Sequence, residues 1–118
     1  MNERLLKRLF DARAAAASAV HFVADCTRDD YLSNDLLRSG VERKLEIVGE
    51  ALNRAQLENK EVAFLVPDLR RIVGLRNRII PGYDDLDDLQ IWAIVRDNIP
   101  DLIQQLNRVL DENQDVPL

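Results

Sequence analysis

Four arginines, Arg70, Arg71, Arg76 and Arg78, fall within nine residues, and Asn77 stands between the last two. A guanidinium presents a planar fork of N–H donors that matches phosphate and carboxylate oxygens, and a carboxamide adds a donor and an acceptor beside it. Arg76 with Asn77 could therefore hold a phosphate diester. The run then breaks at Pro81-Gly82 and presents Tyr83 next to Asp84 and Asp85. Proline can neither give nor take a proton, so position 81 itself offers no acid or base.

Spacing separates Arg76 from its neighbours. It lies four residues from both Ile72 and Ile80, on the apolar face of a helix. A guanidinium there must meet a carboxylate, a phosphate or a wet cleft. Glu46 and Glu50 are both suitable internal partners, and the sequence does not choose between them. Arg70, Arg71 and Arg78 read as a solvated helix face, as partners of acidic neighbours, or as further contacts to RNA. Asp84, Asp85, Asp87 and Asp88 read as a loop and the first turn of the next helix, where negative charge suits the macrodipole. Other inventories are empty: no Cys/His metal set, Gly-rich phosphate loop or Ser-His-Asp arrangement occurs. His21 is a lone imidazole within a helix, and Cys26, the single cysteine, supplies no disulfide or redox pair. No cofactor and no metal are expected.

The elements that must position these residues are helical. Apolar residues recur with a helical period at Leu6, Leu9, Phe10, Ala16, Ala17, Val20 and Val23 or Ala24, giving a first helix from Glu3 to about Cys26. TRDDYLSND has no such period and is rich in turn and capping residues; Ser33 or Asn34 can cap a second helix. That helix carries Leu37, Val41, Leu45, Val48, Leu52 and Ala55, with Gly49 on the same stripe as a point of close backbone contact. Asn59 to Val66 reads as a connector, and Pro67-Asp68 suits the first turn of a third helix bearing Leu69, Ile72, Val73 and Ile80. Pro81-Gly82 ends it. A fourth helix has Trp92, Val95, Ile99, Leu102, Leu106 and Val109 in register, with a kink predicted at Pro100. With no strand pattern, these make an all-α bundle of four helices, three of them long.

At 118 residues the chain suits one domain, 1–118, with a polar tail frayed from about residue 112. Apolar residues at 47% and charged residues at 31% fit a folded globular chain. A net charge of -5 excludes a protein that coats nucleic acid by bulk electrostatics, so any RNA or DNA site must be local. The charged N-terminus and the lack of about 18 consecutive apolar residues give no signal peptide and no membrane contact, and a cytoplasmic location is expected.

Several blocks in order, TRDDYLSNDLL, VERKLEIVGEALNR, PDLRRIVGLRNRII with GYDD after one residue, and LQIWAIV continuing through NIPDLIQQL, are similar to the HepT toxins. These are minimal HEPN-domain ribonucleases encoded beside a nucleotidyltransferase antitoxin, MntA. The resemblance spans nearly the whole chain. It implies an antiparallel four- to five-helix bundle that forms a homodimer, bringing the third-helix motifs of two protomers into one cleft. The family motif runs Arg, a polar residue, three more positions, His, one residue, Tyr. Arginine falls on Arg76, the polar residue on Asn77, and tyrosine on Tyr83. The histidine falls on Pro81.

The resemblance implies metal-independent cleavage of an RNA substrate, in which a histidine moves the proton and a guanidinium stabilises charge on the phosphate. Arg76 and Asn77 supply the second function, while Pro81 supplies nothing to the first. Impaired catalysis is expected, with Pro81 either a natural degenerate feature or an engineered or selected substitution. Tyr83 is the implied site at which the antitoxin attaches AMP. The rival expectation is a helical interaction module that binds the antitoxin or RNA and has no chemistry of its own.

Overall fold

The computed structural model describes residues 1–79 and 87–113. Among these the structure is all-α, in the element order α1 (Glu3–Val23), α2 (Arg28–Ser33), α3 (Asp35–Glu58), α4 (Val62–Leu65), α5 (Leu69–Ile79), α6 (Asp88–Ala93), a π-helical turn (Ile94–Asn98) and α7 (Ile99–Asn113). Four long elements surround the core, with α6, the π turn and α7 acting as one. Arg8 of α1 reaches Glu58 at the far end of α3 (2.7 Å), and Gly40 near the start of α3 faces Phe22 near the end of α1. The two helices therefore run antiparallel.

The cleanest sequence pattern is also the central helix. Val41, Leu45, Val48, Leu52 and Ala55 are fully buried, with Leu37 packed at the margin. Asn34 starts this helix by accepting the Leu37 N–H at 3.0 Å. The α1 stripe differs from its expected register: Leu5, Leu9, Ala12, Ala16, Ala19 and Val23 face the core, whereas Phe10 and Ala17 point outward. Alanines at Ala12, Ala16 and Ala19 allow close approach of neighbouring helices, and the larger Phe10 is left to stack beneath the Arg13 guanidinium, 5.4 Å from its ring centre. Arg13 itself bonds Asn107 of α7 (3.1 Å), which explains a cation at the edge of an apolar face.

The stretch Thr27–Asp35 is more ordered than a turn. Thr27 and Asp30 form a reciprocal capping box that nucleates α2, a signal legible as Thr-x-x-Asp but too short to show a period. Tyr31 of α2 is buried against Trp92, with ring centres 5.5 Å apart. Arg38 lies over this junction, bonding the carbonyls of Tyr31 and Leu32 and pairing with Asp35 and Asp88. It thereby fixes the start of α6 relative to α2 and α3. Burial first, then the Asp88 charge, holds the nearby Glu42 carboxyl above its usual range.

α4 is a single turn within the predicted connector. Asp68, rather than Pro67, stands at the start of α5; its carbonyl accepts the Ile72 N–H, and its backbone and carboxylate both bond Gln105 of α7. The predicted kink at Pro100 takes the form of the π turn: Ile99 N–H bonds the Ile94 carbonyl, five residues back. Proline offers no N–H and its ring crowds the carbonyl four residues earlier, so the chain widens by one residue there. α7 continues through Asn113, and the tail beyond it lies outside the described residues.

Candidate functional site

The rotation of a helix, about 100° per residue, splits the arginine cluster. Arg76 turns toward α3, and Asn77 beside it is exposed. Arg71 and Arg78 turn the other way, into a cleft against α6 and the π turn. Arg70 is exposed at the opposite end of α5, beside Lys60 and Phe64. Four cations adjacent in sequence thus serve three different surfaces.

Arg76 keeps about a quarter of its side chain exposed and pairs through Nη2 with Glu50 Oε2 at 2.5 Å. The structure thereby chooses between the two candidate partners, because Glu46 is taken by Arg43 at 3.4 Å. Glu50 accepts a second guanidinium, Arg54 Nε at 2.7 Å, four residues along the same helix. The hydrogen bond from Arg54 and then the Arg76 charge hold the Glu50 carboxyl below its usual range. Arg54 was not singled out from the sequence, although the i,i+4 spacing from Glu50 was a usable signal.

Gly49 makes this geometry possible. A Cβ at that position would stand 2.2 Å from Arg76 Cβ and 3.3 Å from the Ile72 carbonyl oxygen, so the stem of Arg76 crosses α3 where no side chain intervenes. The packing role expected of Gly49 is therefore specific: it seats Arg76. Asn77 is exposed and accepts from Arg76 Nη1 through Oδ1 at 3.1 Å, leaving its Nδ2 to donate outward. Arg76 Nε is buried without a partner among the described residues. The arrangement is an arginine held by one carboxylate and one amide, with part of its side chain still open to solvent.

Glu50 links this site to acid stability. A carboxyl held low in the folded state stabilises it fully above the unfolded value of 4.5, and that stabilisation is lost as pH falls through and below that value. Glu50→Gln is expected to flatten the acid limb of a urea-midpoint profile while lowering stability near neutrality. An unchanged profile would mean that the Arg54–Glu50–Arg76 bridge contributes nothing in solution.

Pro81 and Tyr83, the remaining motif positions, lie outside the described residues, as do Ile80, Gly82, Asp84 and Asp85. On the far side of that segment Asp87 caps α6 by accepting the Leu89 N–H at 2.9 Å, and Asp88 follows in the first turn, as their charge predicts. Among the described residues no three His, Cys, Asp or Glu side chains gather as a metal set, and no helix is long and apolar enough to cross a membrane.

Fold and site define an all-helical protein in which one arginine is held by a carboxylate of the neighbouring helix and by an adjacent amide. A family model described as ribonuclease HepT-like matches residues 12–109. The chain belongs to the HepT-like ribonuclease family, and its all-α bundle is of the HEPN type. It is 31% identical over 110 residues to a protein of Methanocaldococcus jannaschii named Putative RNase MJ1380, covering 92% of this chain and all of that relative. It is 29% identical over 90 residues to the Probable ribonuclease HepT of Thermococcus cleftensis, covering 73% of this chain and 81% of the relative. No solved structure gives a significant match.

Proposed function

We propose that this chain is the toxin subunit of a type VII, HEPN/MNT toxin–antitoxin pair, a homodimeric and metal-independent endoribonuclease in design, whose cleavage step is impaired by Pro81. The observation that carries this reading is the seating of Arg76: Gly49 admits its stem, Glu50 orients its guanidinium, and Asn77 leaves an amide donor beside it. Membership of a ribonuclease family makes an RNA phosphate the natural anion.

In the intact chemistry, the ribose 2′-oxygen attacks the adjacent phosphorus as its proton leaves. The O2′–P bond forms, the P–O5′ bond breaks, and the departing 5′-oxygen takes a proton, giving a 2′,3′-cyclic phosphate and a 5′-hydroxyl. Arg76 and Asn77 stabilise negative charge on the phosphate oxygens, which is most valuable in the pentacoordinate transition state. The proton transfers belong to a group at position 81, where proline has none to offer.

Tyr83 is the proposed acceptor of AMP from an MntA-type antitoxin. Its phenolic oxygen attacks the α-phosphorus of ATP, pyrophosphate leaves, and the attached nucleotide places bulk and negative charge at the entrance for RNA. Pro81 also favours a second reading, in which the chain acts only as an interaction module for the antitoxin or RNA.

The test is RNA cleavage by the purified protein in chelator, beside Arg76→Ala. A weak parental activity that survives chelation and vanishes in Arg76→Ala supports a residual ribonuclease. Parental RNA binding without cleavage, steeply reduced by salt and weakened in Arg76→Ala, supports the module. Neither binding nor cleavage at low salt would remove RNA from the account.

A further inference from the structure

The second arginine pair faces a site of its own. Arg71, Gly74 and Arg78 recur at three and four residues along one face of α5, and with Leu75 they form one wall of a cleft of about 560 Å³. Gln90, Ala93, Ile94 and Asn98, from α6 and the π turn, form the other. Arg78 Nη2 approaches Gln90 Oε1 at 3.4 Å. Among the described residues, those lining this cleft include two arginines and two amides and no carboxylate.

Gly74 is the telling position. It sits in the middle of an 11-residue helix, where glycine costs roughly 1 kcal/mol relative to alanine. Unlike Gly49, it is not required for packing among the described residues, where a Cβ would meet nothing within 4 Å. Its effect is to leave open the cleft that it lines. The π turn contributes at the same place, since Ile94 and Asn98 are its first and last residues.

We infer that the cleft between α5 and α6 is a nucleotide subsite, which takes one nucleotide of a bound RNA strand next to the phosphate held at Arg76. Its volume is that of small-ligand sites, which run from about 300 to 1,000 Å³. Arg71 and Arg78 match a phosphate or the electron-rich edge of a base. Leu75, Ala93 and Ile94 offer an apolar surface to the ring. Gln90 and Asn98 each carry a donor and an acceptor, the combination needed to read a Watson–Crick edge. A carboxylate from a protein partner would use the arginines but leave the apolar surface and both amides idle. Arg76 and the cleft lie on two sides of one helix, about 10–12 Å across with its side chains, so the scissile phosphate and this nucleotide are neighbours, not the same group.

The inference rests on the reading of the chain as an RNA-handling protein, and the test separates the two. A fluorescein-labelled single-stranded RNA is titrated at low ionic strength with the parent, Gly74→Ala, Gly74→Leu, Arg76→Ala, and Gln90→Ala combined with Asn98→Ala. Gly74→Leu fills the cleft from an open position, and the expected result is affinity weakened about tenfold, with Gly74→Ala falling between it and the parent. The double amide variant should narrow the affinity differences among oligoadenylate, oligocytidylate and oligouridylate. Parental affinity in both Gly74→Leu and the double variant, with binding lost in Arg76→Ala, overturns the subsite and leaves the ribonuclease reading standing. Failure of the parent to bind RNA overturns both. A change in sedimentation of Gly74→Leu, with RNA affinity per protomer intact, reassigns the cleft to contact between copies and also overturns the subsite. Should Gly74→Leu not fold, the amide pair decides: unaltered affinity and base preference reject the inference.

Discussion

Replacing Pro81 by histidine is expected to raise RNA cleavage in chelator by about 100- to 10,000-fold, the usual contribution of a positioned general acid or base. In the proposed reaction Arg76 supplies a held guanidinium, with the Asn77 amide beside it and the Glu50 carboxylate, itself bonded by Arg54, supporting it. The gain should therefore depend on that residue. Adding Arg76→Ala to the histidine variant should return cleavage to background, which also excludes a contaminating nuclease. A histidine variant as inert as the parent would reject the single-residue account of impairment, and the interaction module would then describe the chain better.

The second large effect concerns the backbone contact beneath the site. Gly49→Ala should destabilise the protein by about 1–2 kcal/mol, although alanine is the better helix former by roughly 1 kcal/mol. The added carbon would fall 2.2 Å from Arg76 Cβ, where carbon atoms normally keep about 3.5–4.0 Å apart. Arg76 Cβ is the root of the side chain and cannot swing aside, so α5 must retreat from α3. A thermal midpoint lower by about 4 °C per kcal/mol is the measurable consequence. RNA affinity should fall with it, because the retreat moves the guanidinium away from Glu50. Gly74→Ala makes the opposite prediction on the same helix pair: with nothing in its way, it should raise stability by about 0.5–1 kcal/mol. If the two alanine variants melt alike, the close crossing of α3 over α5 is wrong.

Legibility followed the range of the interactions. Asn34 as a cap and the stripe from Val41 to Ala55 depend on residues within a turn or two, and both could be read directly from the chain. The face of α1 was harder. It packs against both α3 and α7, so its buried arc is centred on small alanines that carry little pattern, and Phe10 proved to be an outward residue. The capping box of α2 was readable but sits in a helix of six residues, shorter than any period can reveal. At the candidate site, periodicity placed Arg76 on the apolar face of its helix and named Glu46 and Glu50 as possible partners.

What the sequence by itself determined is the helical identity of the long elements and the presence, at Arg76 and Asn77, of side chains able to hold a phosphate. These are local properties, set by backbone hydrogen bonds and side chains three or four residues apart. Only the tertiary structure decided that Glu50 and not Glu46 meets Arg76, that Gly49 makes the space for it, and that Arg71 and Arg78 join Gln90 and Asn98 across a separate cleft. Those outcomes depend on the rotation of each helix about its axis and on which neighbour it packs against. Both are settled by the burial of the whole core, whose energy is shared among residues far apart in the chain.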